Sequence, residues 1–158
     1  MRDIEIKKQL ARHIAGGEAF LTVDEMLKEI PFSQLGIRPK ELPYSFYELF
    51  YHMQFAQKDI LEYCIATKYQ PHKWPQDYWP LKSAPASTKE WEDLVLSFKS
   101  ERERFQKLVL DPETMLTKKL KKDTDHTLMR EILLVIEHNA YHTGQLLIVL
   151  RSLGLHHS

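Results

Sequence analysis

The stretch Glu137-His-Asn-Ala-Tyr-His-Thr-Gly-Gln145 places two histidines, His138 and His142, four residues apart inside the most apolar segment of the chain. On a helix, residues i and i+4 share a face with their Cβ atoms about 5 to 6 Å apart, so two imidazoles at this spacing converge on one point. A buried imidazole needs hydrogen-bond partners, and each unsatisfied group costs roughly 1 to 3 kcal/mol. A divalent metal satisfies two imidazoles at once. Two core histidines bonded to neighbouring side chains account for the same spacing. A catalytic zinc-type site takes three protein ligands and water, and the distant candidates for the third are His13, His52, His72 and His126. His126 lies too far along the same helix to reach. His72 falls in a proline-rich loop, and His13 ends a helix beside two glycines. His52 sits in mid-helix at the edge of an apolar stripe, with the small Ala56 one turn on leaving room for an ion. It is the best third ligand by pattern, although Glu48 and Asp59 share its face, as they would around a surface histidine.

Three neutral imidazoles around a dication leave a net charge of about plus two and at least one open position. Such an ion lowers the pKa of bound water toward about 7, or holds a thiolate deprotonated. Zinc, nickel, iron and copper all suit imidazole, and three histidines do not choose among them. Gln145 is placed to bond either a metal-bound water, a substrate or a neighbouring side chain. Glu131 and Asp59 are placed either to orient ligating imidazoles or to stand as exposed carboxylates. Two rival motifs are excluded. A zinc-protease helix needs Glu directly after the first His, where this chain has Asn139, and di-iron carboxylate bundles need paired Glu-x-x-His elements that it lacks.

These residues need elements to hold them, and helix signals are legible. Thr22-Val-Asp-Glu25, Ser45-Phe-Tyr-Glu48 and Ser87-Thr-Lys-Glu90 each match a capping box, in which the Ser or Thr oxygen and the Glu carboxylate satisfy each other's backbone amides. Helices are expected over residues 2–15 (stopped by Gly16-Gly17), 22–30, 45–67, 87–110 and 125–153 (stopped by Gly154), with Asp111-Pro112-Glu113 as a short helical turn. The second long helix has Phe46, Leu49, Phe50, Met53 and Ile60 on a 3.6-residue period. Lys99 to Arg104 reads as a solvated face. The last long helix is apolar nearly all round, so a central position and partly buried imidazoles are expected. Residues 70–86, with four prolines, read as a long ordered loop whose Trp74, Tyr78 and Trp79 either line a substrate mouth or cover the core. Cys64 reads as a packed core thiol, and His156 and His157 as a disordered end. No strand alternation or internal repeat is present.

At 158 residues the chain is read as one domain, 1–158, large enough for a real core. Lys plus Arg equals Asp plus Glu, and no basic stripe is present to neutralise phosphates, which argues against nucleic acid. The one cluster, Lys118, Lys119, Lys121 and Lys122, reads as a solvated turn. A single cysteine gives no internal disulfide, the charged N-terminus lacks a signal-peptide core, and no apolar run reaches the roughly 18 residues of a membrane span. A cytoplasmic protein with no membrane association is expected.

Three features resemble the DinB-like family of metal-binding four-helix bundles. They are Pro43-Tyr-Ser-Phe-Tyr-Glu-Leu-Phe-Tyr-His52-Met, His138-Asn-Ala-Tyr-His142-Thr-Gly-Gln145, and the trailing Leu-Leu-Ile-Val-Leu-Arg-Ser-Leu-Gly154. The likeness runs from about residue 9 to 155. It implies an all-α fold, a four-helix bundle of up-down-down-up topology with long ordered loops and short extra helices. It implies a divalent metal (zinc, nickel or iron) on His52, His138 and His142, a homodimer, and a small-molecule substrate. The chemistry implied is that of an S-transferase or isomerase using a low-molecular-weight thiol. A metal-dependent hydrolase, or a non-catalytic stress-response or binding bundle with a structural or vestigial metal site, are the alternatives.

Overall fold

The computed structural model describes residues 2–122 and 124–157. Among these the chain is all-helical, with α1 (Arg2–Ala15), α2 (Val23–Glu29), α3 (Phe46–Ile65), α4 (Thr88–Leu110) and α5 (Leu128–Ser152), plus two single 3-10 turns at Phe32–Gln34 and Gln76–Tyr78. One isolated antiparallel bridge, Lys119 to Thr127, ties the approach to α5 back on itself.

The caps explain the helix starts. At α2 the box is complete, with Glu25 N–H donating to Thr22 Oγ1 and Thr22 N–H donating to Glu25 Oε2. At α3 it is also complete, with Ser45 N–H donating to Glu48 Oε2 at 2.8 Å and Glu48 N–H to Ser45 Oγ at 3.2 Å. Arg38 then clamps the same carboxylate from the preceding loop at 2.9 and 2.5 Å. The third box is only half formed: Ser87 caps the Glu90 amide, but the Glu90 carboxylate bonds Ala86 N–H and the Tyr47 hydroxyl instead. Thr127 caps α5 through Arg130 N–H, so that helix starts three residues later than the apolar pattern suggested. Its other end closes on Gly154 in the left-handed region at φ 72°, where Leu155 N–H reaches Leu150 O. Residues 111–113 form a bonded turn, with Glu113 N–H donating to Asp111 Oδ1, and not a helical turn.

α3 packs on α4 and α5, and α1 on the same two helices. Gln106 Nε2 donates to Ala11 O and Lys7 Nζ to Asp111 O, so the α1 sequence ascends as α4 descends. Apolar side chains gather in two clusters. One holds Phe46, Phe50 and Met53 of α3, Phe98 of α4 and Leu146, Val149 and Leu150 of α5. The other holds Leu10 and Ile14 of α1, Leu61 of α3, Phe105 and Val109 of α4 and Ile132 and Val135 of α5.

A polar layer lies between the clusters. Gln54 and Gln57 of α3, Glu101 of α4 and Thr143 of α5 are buried there, with Asn139 beside them. Gln54 Nε2 donates to Glu101 Oε1 at 2.7 Å, and Gln57 Nε2 to Phe98 O at 2.9 Å. Burial pushes the Glu101 carboxyl up to about 7. Glu101 therefore corrects the reading of Lys99 to Arg104 as a wholly solvated face, because one charged residue of that run turns inward to meet two glutamine amides.

α5 is less central than its composition implied, since Leu133, Tyr141 and Ile148 are exposed. The C-terminal end is also tied down, with His156 Nδ1 at 2.8 Å from Glu29 Oε2. Cys64 is partly buried against the second cluster, which pushes its thiol up to about 12, as suits a packed and unreactive sulfur. Lys121 lies over the rings of Tyr63 and Tyr69, and Lys119 pairs with Asp125. Two lysines of the basic cluster are thus committed to intramolecular partners.

Candidate metal centre

The polar layer opens on one side at three histidines. α3 delivers His52 two turns after its Ser45 cap, and α5 delivers His138 and His142 one turn apart. The Nε2 atoms of His52 and His138 lie 3.1 Å apart. A ligand atom from each of His52, His138 and His142 falls within 4.8 Å of the others. Metal–nitrogen bonds of about 2.0 to 2.1 Å hold two nitrogens roughly 2.9 Å apart at a right angle and about 3.4 Å apart at the tetrahedral angle, so the 3.1 Å separation suits a shared cation.

The far side of each ring decides which nitrogen is free. His52 Nδ1–H donates to the Tyr78 carbonyl at 3.2 Å, which leaves its Nε2 lone pair facing the focus. His142 Nδ1–H donates to Gln145 Oε1 at 2.6 Å, with the same result. Outer acceptors of this kind fix the tautomer and ring orientation of metal-binding histidines. Gln145 thus serves a neighbour, one of the two roles its position allowed.

Without an ion, His52 Nε2 and His138 Nε2 can share one proton between them, and the His142 Nε2 lone pair is left over at the same focus. A cation there uses all three Nε2 lone pairs, and the donor set fits a divalent metal on this ground. His138 Nδ1 then carries a proton, with no partner among the described residues.

Electrostatics point the same way. Burial, then the nearby charge of His142, lowers the His52 pKa to about 4. Burial, His142 and His52 lower that of His138 to about 4. Burial also lowers His142, against a smaller opposing pull from Gln145. The three rings are therefore neutral near pH 7, as ligands must be.

The focus forms the floor of a cleft of about 660 Å³ walled by Trp74, Tyr78, Trp79, Leu134, Glu137 and Tyr141. Trp79 stacks face to face on the His52 ring, centroids 4.2 Å apart and planes within 2°. Trp74 packs edge-on to Tyr78 at 5.1 Å. The proline-rich loop therefore touches on both readings considered for it: Trp74, Tyr78 and Trp79 line the cleft, and Trp79 also packs against the first apolar cluster. Tyr141, edge-on to His142 at 5.0 Å, was not singled out from sequence. An exposed aromatic set between two converging histidines would have been the signal.

Other expected participants lie elsewhere. His72 Nε2 stands 3.7 Å from Asp59 and its ring packs on Phe55. His126 Nδ1 is 3.0 Å from Glu131, and His13 is exposed at the end of α1. Glu131 is buried, pairs with Arg130 and His126, and orients none of the three site histidines. Asp59 accepts from the hydroxyls of Tyr69 at 2.7 Å and Tyr78 at 2.5 Å. Its task is to fasten the loop to α3, because the two tyrosines reach it before any imidazole does.

The DinB family model matches residues 7–158, nearly the whole chain. The chain belongs to the DinB family. No curated protein and no solved structure matches it. For this DinB protein, the family match and the histidine cluster are both compatible with metal binding, and no helix of the described residues is long and apolar enough to cross a membrane.

Proposed function

We propose that His52, His138 and His142 bind a divalent metal and that the protein is a metal-dependent thiol S-transferase or a closely related metal-assisted enzyme. The observation that carries this reading is the convergence of three neutral imidazoles at the floor of an open aromatic cleft, two of them with their outer nitrogens already bonded to acceptors. When bound, a divalent cation with an open position lowers the pKa of a coordinating thiol, which is about 8.5 when free. The chain's own residues do the rest. The Tyr78 carbonyl and Gln145 hold two rings in the ligating tautomer. Trp74, Trp79 and Tyr141 line the cleft and offer flat apolar surface to an electrophile. No Lys or Arg lines the cleft among the described residues, which favours a substrate body without multiple anionic groups.

The molecule around the site is read as a single up-down-down-up four-helix bundle, supported by the opposed run of α1 and α4 and by the shared clusters of α3, α4 and α5. A homodimer is what the family reading implies, and the exposed Leu133 and Ile148 would suit such a contact; the cytoplasmic location is the reading made from the sequence.

Elemental analysis of untagged protein tests the site. Wild type is expected to hold one divalent ion per chain and His142→Ala to hold far less. Equal metal in both, or none in either, would remove the site. With metal in place, turnover of an aromatic electrophile with several small thiols is expected to vanish on chelation and return on metal addition. A stoichiometric ion with no turnover for any thiol would favour the non-catalytic bundle, and thiol-independent hydrolysis would favour the hydrolase.

A further inference from the structure

Two of the three site histidines have a visible acceptor behind them and the third does not. His138 Nδ1 is one of two buried side-chain polar atoms without a partner among the described residues, and the other is Asn139 Oδ1. The pair is complementary. A His138 that ligates through Nε2 carries a proton on Nδ1, and an amide oxygen accepts one.

The polar layer fixes which way the Asn139 amide faces. Gln57 Nε2 donates to Phe98 O at 2.9 Å and faces Glu101 Oε2 at 3.5 Å. Its other end, Oε1, must therefore meet Asn139, and it accepts from Asn139 Nδ2 at 3.0 Å. With Nδ2 spent on Gln57, Oδ1 is the end of Asn139 left free. Thr143 Oγ1 donates to the Asn139 carbonyl at 2.6 Å and ties this turn of α5 to the same layer. The Asn139 side chain also offsets part of the fall that burial imposes on the His138 pKa.

We propose that Asn139 is the positioning residue for His138: its Oδ1 accepts the Nδ1 proton of the ligating ring, in a sense set through Gln57 by Phe98 O and Glu101. This rests on the metal reading of the three histidines. The layer between the two apolar clusters then has a task beyond filling space. It carries the orientation of a ligand ring from α4, across α3, to α5, so each of the three imidazoles has its own outer acceptor: a loop carbonyl, a glutamine on the next turn and an asparagine held by a relay.

The test is zinc affinity by chelator competition, with ¹⁵N–¹H spectra of the imidazoles in zinc-loaded protein. Asn139→Leu is expected to weaken zinc by about 10- to 100-fold, the usual cost of losing an outer partner of a ligand, and to shift or broaden the His138 Nδ1–H resonance. Asn139→Asp keeps an acceptor toward His138 but loses the donor to Gln57, so its loss is expected to resemble that of Gln57→Leu and to stay smaller than that of Asn139→Leu. Gln57→Leu is expected to give a smaller loss that disappears in the Asn139→Leu background. Asn139 also lines a cavity of about 90 Å³ beside α1. A residue serving only that cavity would lower Tm on replacement and leave affinity and the resonance alone. That result, in Asn139→Leu or in Gln57→Leu should the first not fold, overturns the inference and leaves the metal site standing. A wild type that binds no zinc overturns both.

Discussion

Glu101 is a carboxyl held between two glutamine amides with no cation in hydrogen-bond contact. Its pKa, raised to about 7 by burial from an ordinary 4.5, has a definite consequence for stability. Below about pH 4.5 it is protonated in folded and unfolded chain alike, so its contribution is whole. Between 4.5 and 7 the unfolded chain releases the proton first, and the contribution declines until it is gone above about 7, up to about 3 kcal/mol in all. The metal-free histidines act in the opposite sense, because their lowered pKa values favour folding as pH rises from about 4 to 6.5. The difference between wild type and Glu101→Gln isolates the carboxyl. Thermal melts in chelator are expected to show Glu101→Gln gaining on wild type from pH 5 to pH 8, and parallel curves would show that Glu101 is not buried as described. The inward turn of Glu101 was not legible in sequence, since Lys99 to Arg104 offers five charges in six residues and nothing local distinguishes Glu101 from the others. By contrast, the spacing of His138 and His142 was legible as a shared helix face, while it left a metal pair and two bonded core histidines equally open.

Helices α3 and α5 carry the site, and sequence spoke clearly at the start of α3 but placed that of α5 three residues early. Ser45 is fully buried, caps Glu48 N–H and donates its own hydroxyl to Ser83 O at 2.5 Å. Ser45→Ala is expected to cost about 1 to 2 kcal/mol, at the upper end for a cap because a loop carbonyl is orphaned too. Urea unfolding of the metal-free protein checks this, and a loss no larger than that of Thr22→Ala, at a half-buried cap, would contradict it. The same capping pattern misled at Ser87, where Tyr47 and Ala86 compete for Glu90 and win. Tyr47 becomes a competitor only once α3 and α4 are packed, and Ala86 N–H is a backbone group with no residue type to read. The loop over the cleft was legible as ordered, because Trp74, Tyr78 and Trp79 needed somewhere to pack. Its bond from Tyr78 O to His52 was not, since a backbone carbonyl has no residue type to read.

At the scale of the whole molecule, the three histidines join the second and last long helices, which belong to different parts of the chain and share both apolar clusters. A ligand that binds only the folded form stabilises it by about 2.7 kcal/mol at a hundredfold excess over Kd. For a chain of this length that corresponds to roughly 5 to 10 °C in Tm. Zinc added to stripped wild type is expected to raise Tm by that order, and His52→Ala to abolish the rise. An equal rise in both would place the ion elsewhere. The all-helical class was legible from the 3.6-residue pattern and caps. The layering of polar between apolar was not, because Gln54, Gln57, Glu101 and Asn139 come from three helices and acquire a common level only when those helices are set in register.

Residues 70–86 are not an independent accessory to this protein. The segment that walls the entrance also clasps His52, through one carbonyl and one indole face. On the metal reading proposed above, grafting a different segment there to admit a new compound would loosen the ion in the same stroke. Selectivity and cation retention would then be inherited together, and a change of substrate by editing this stretch would need another way to grip the imidazole.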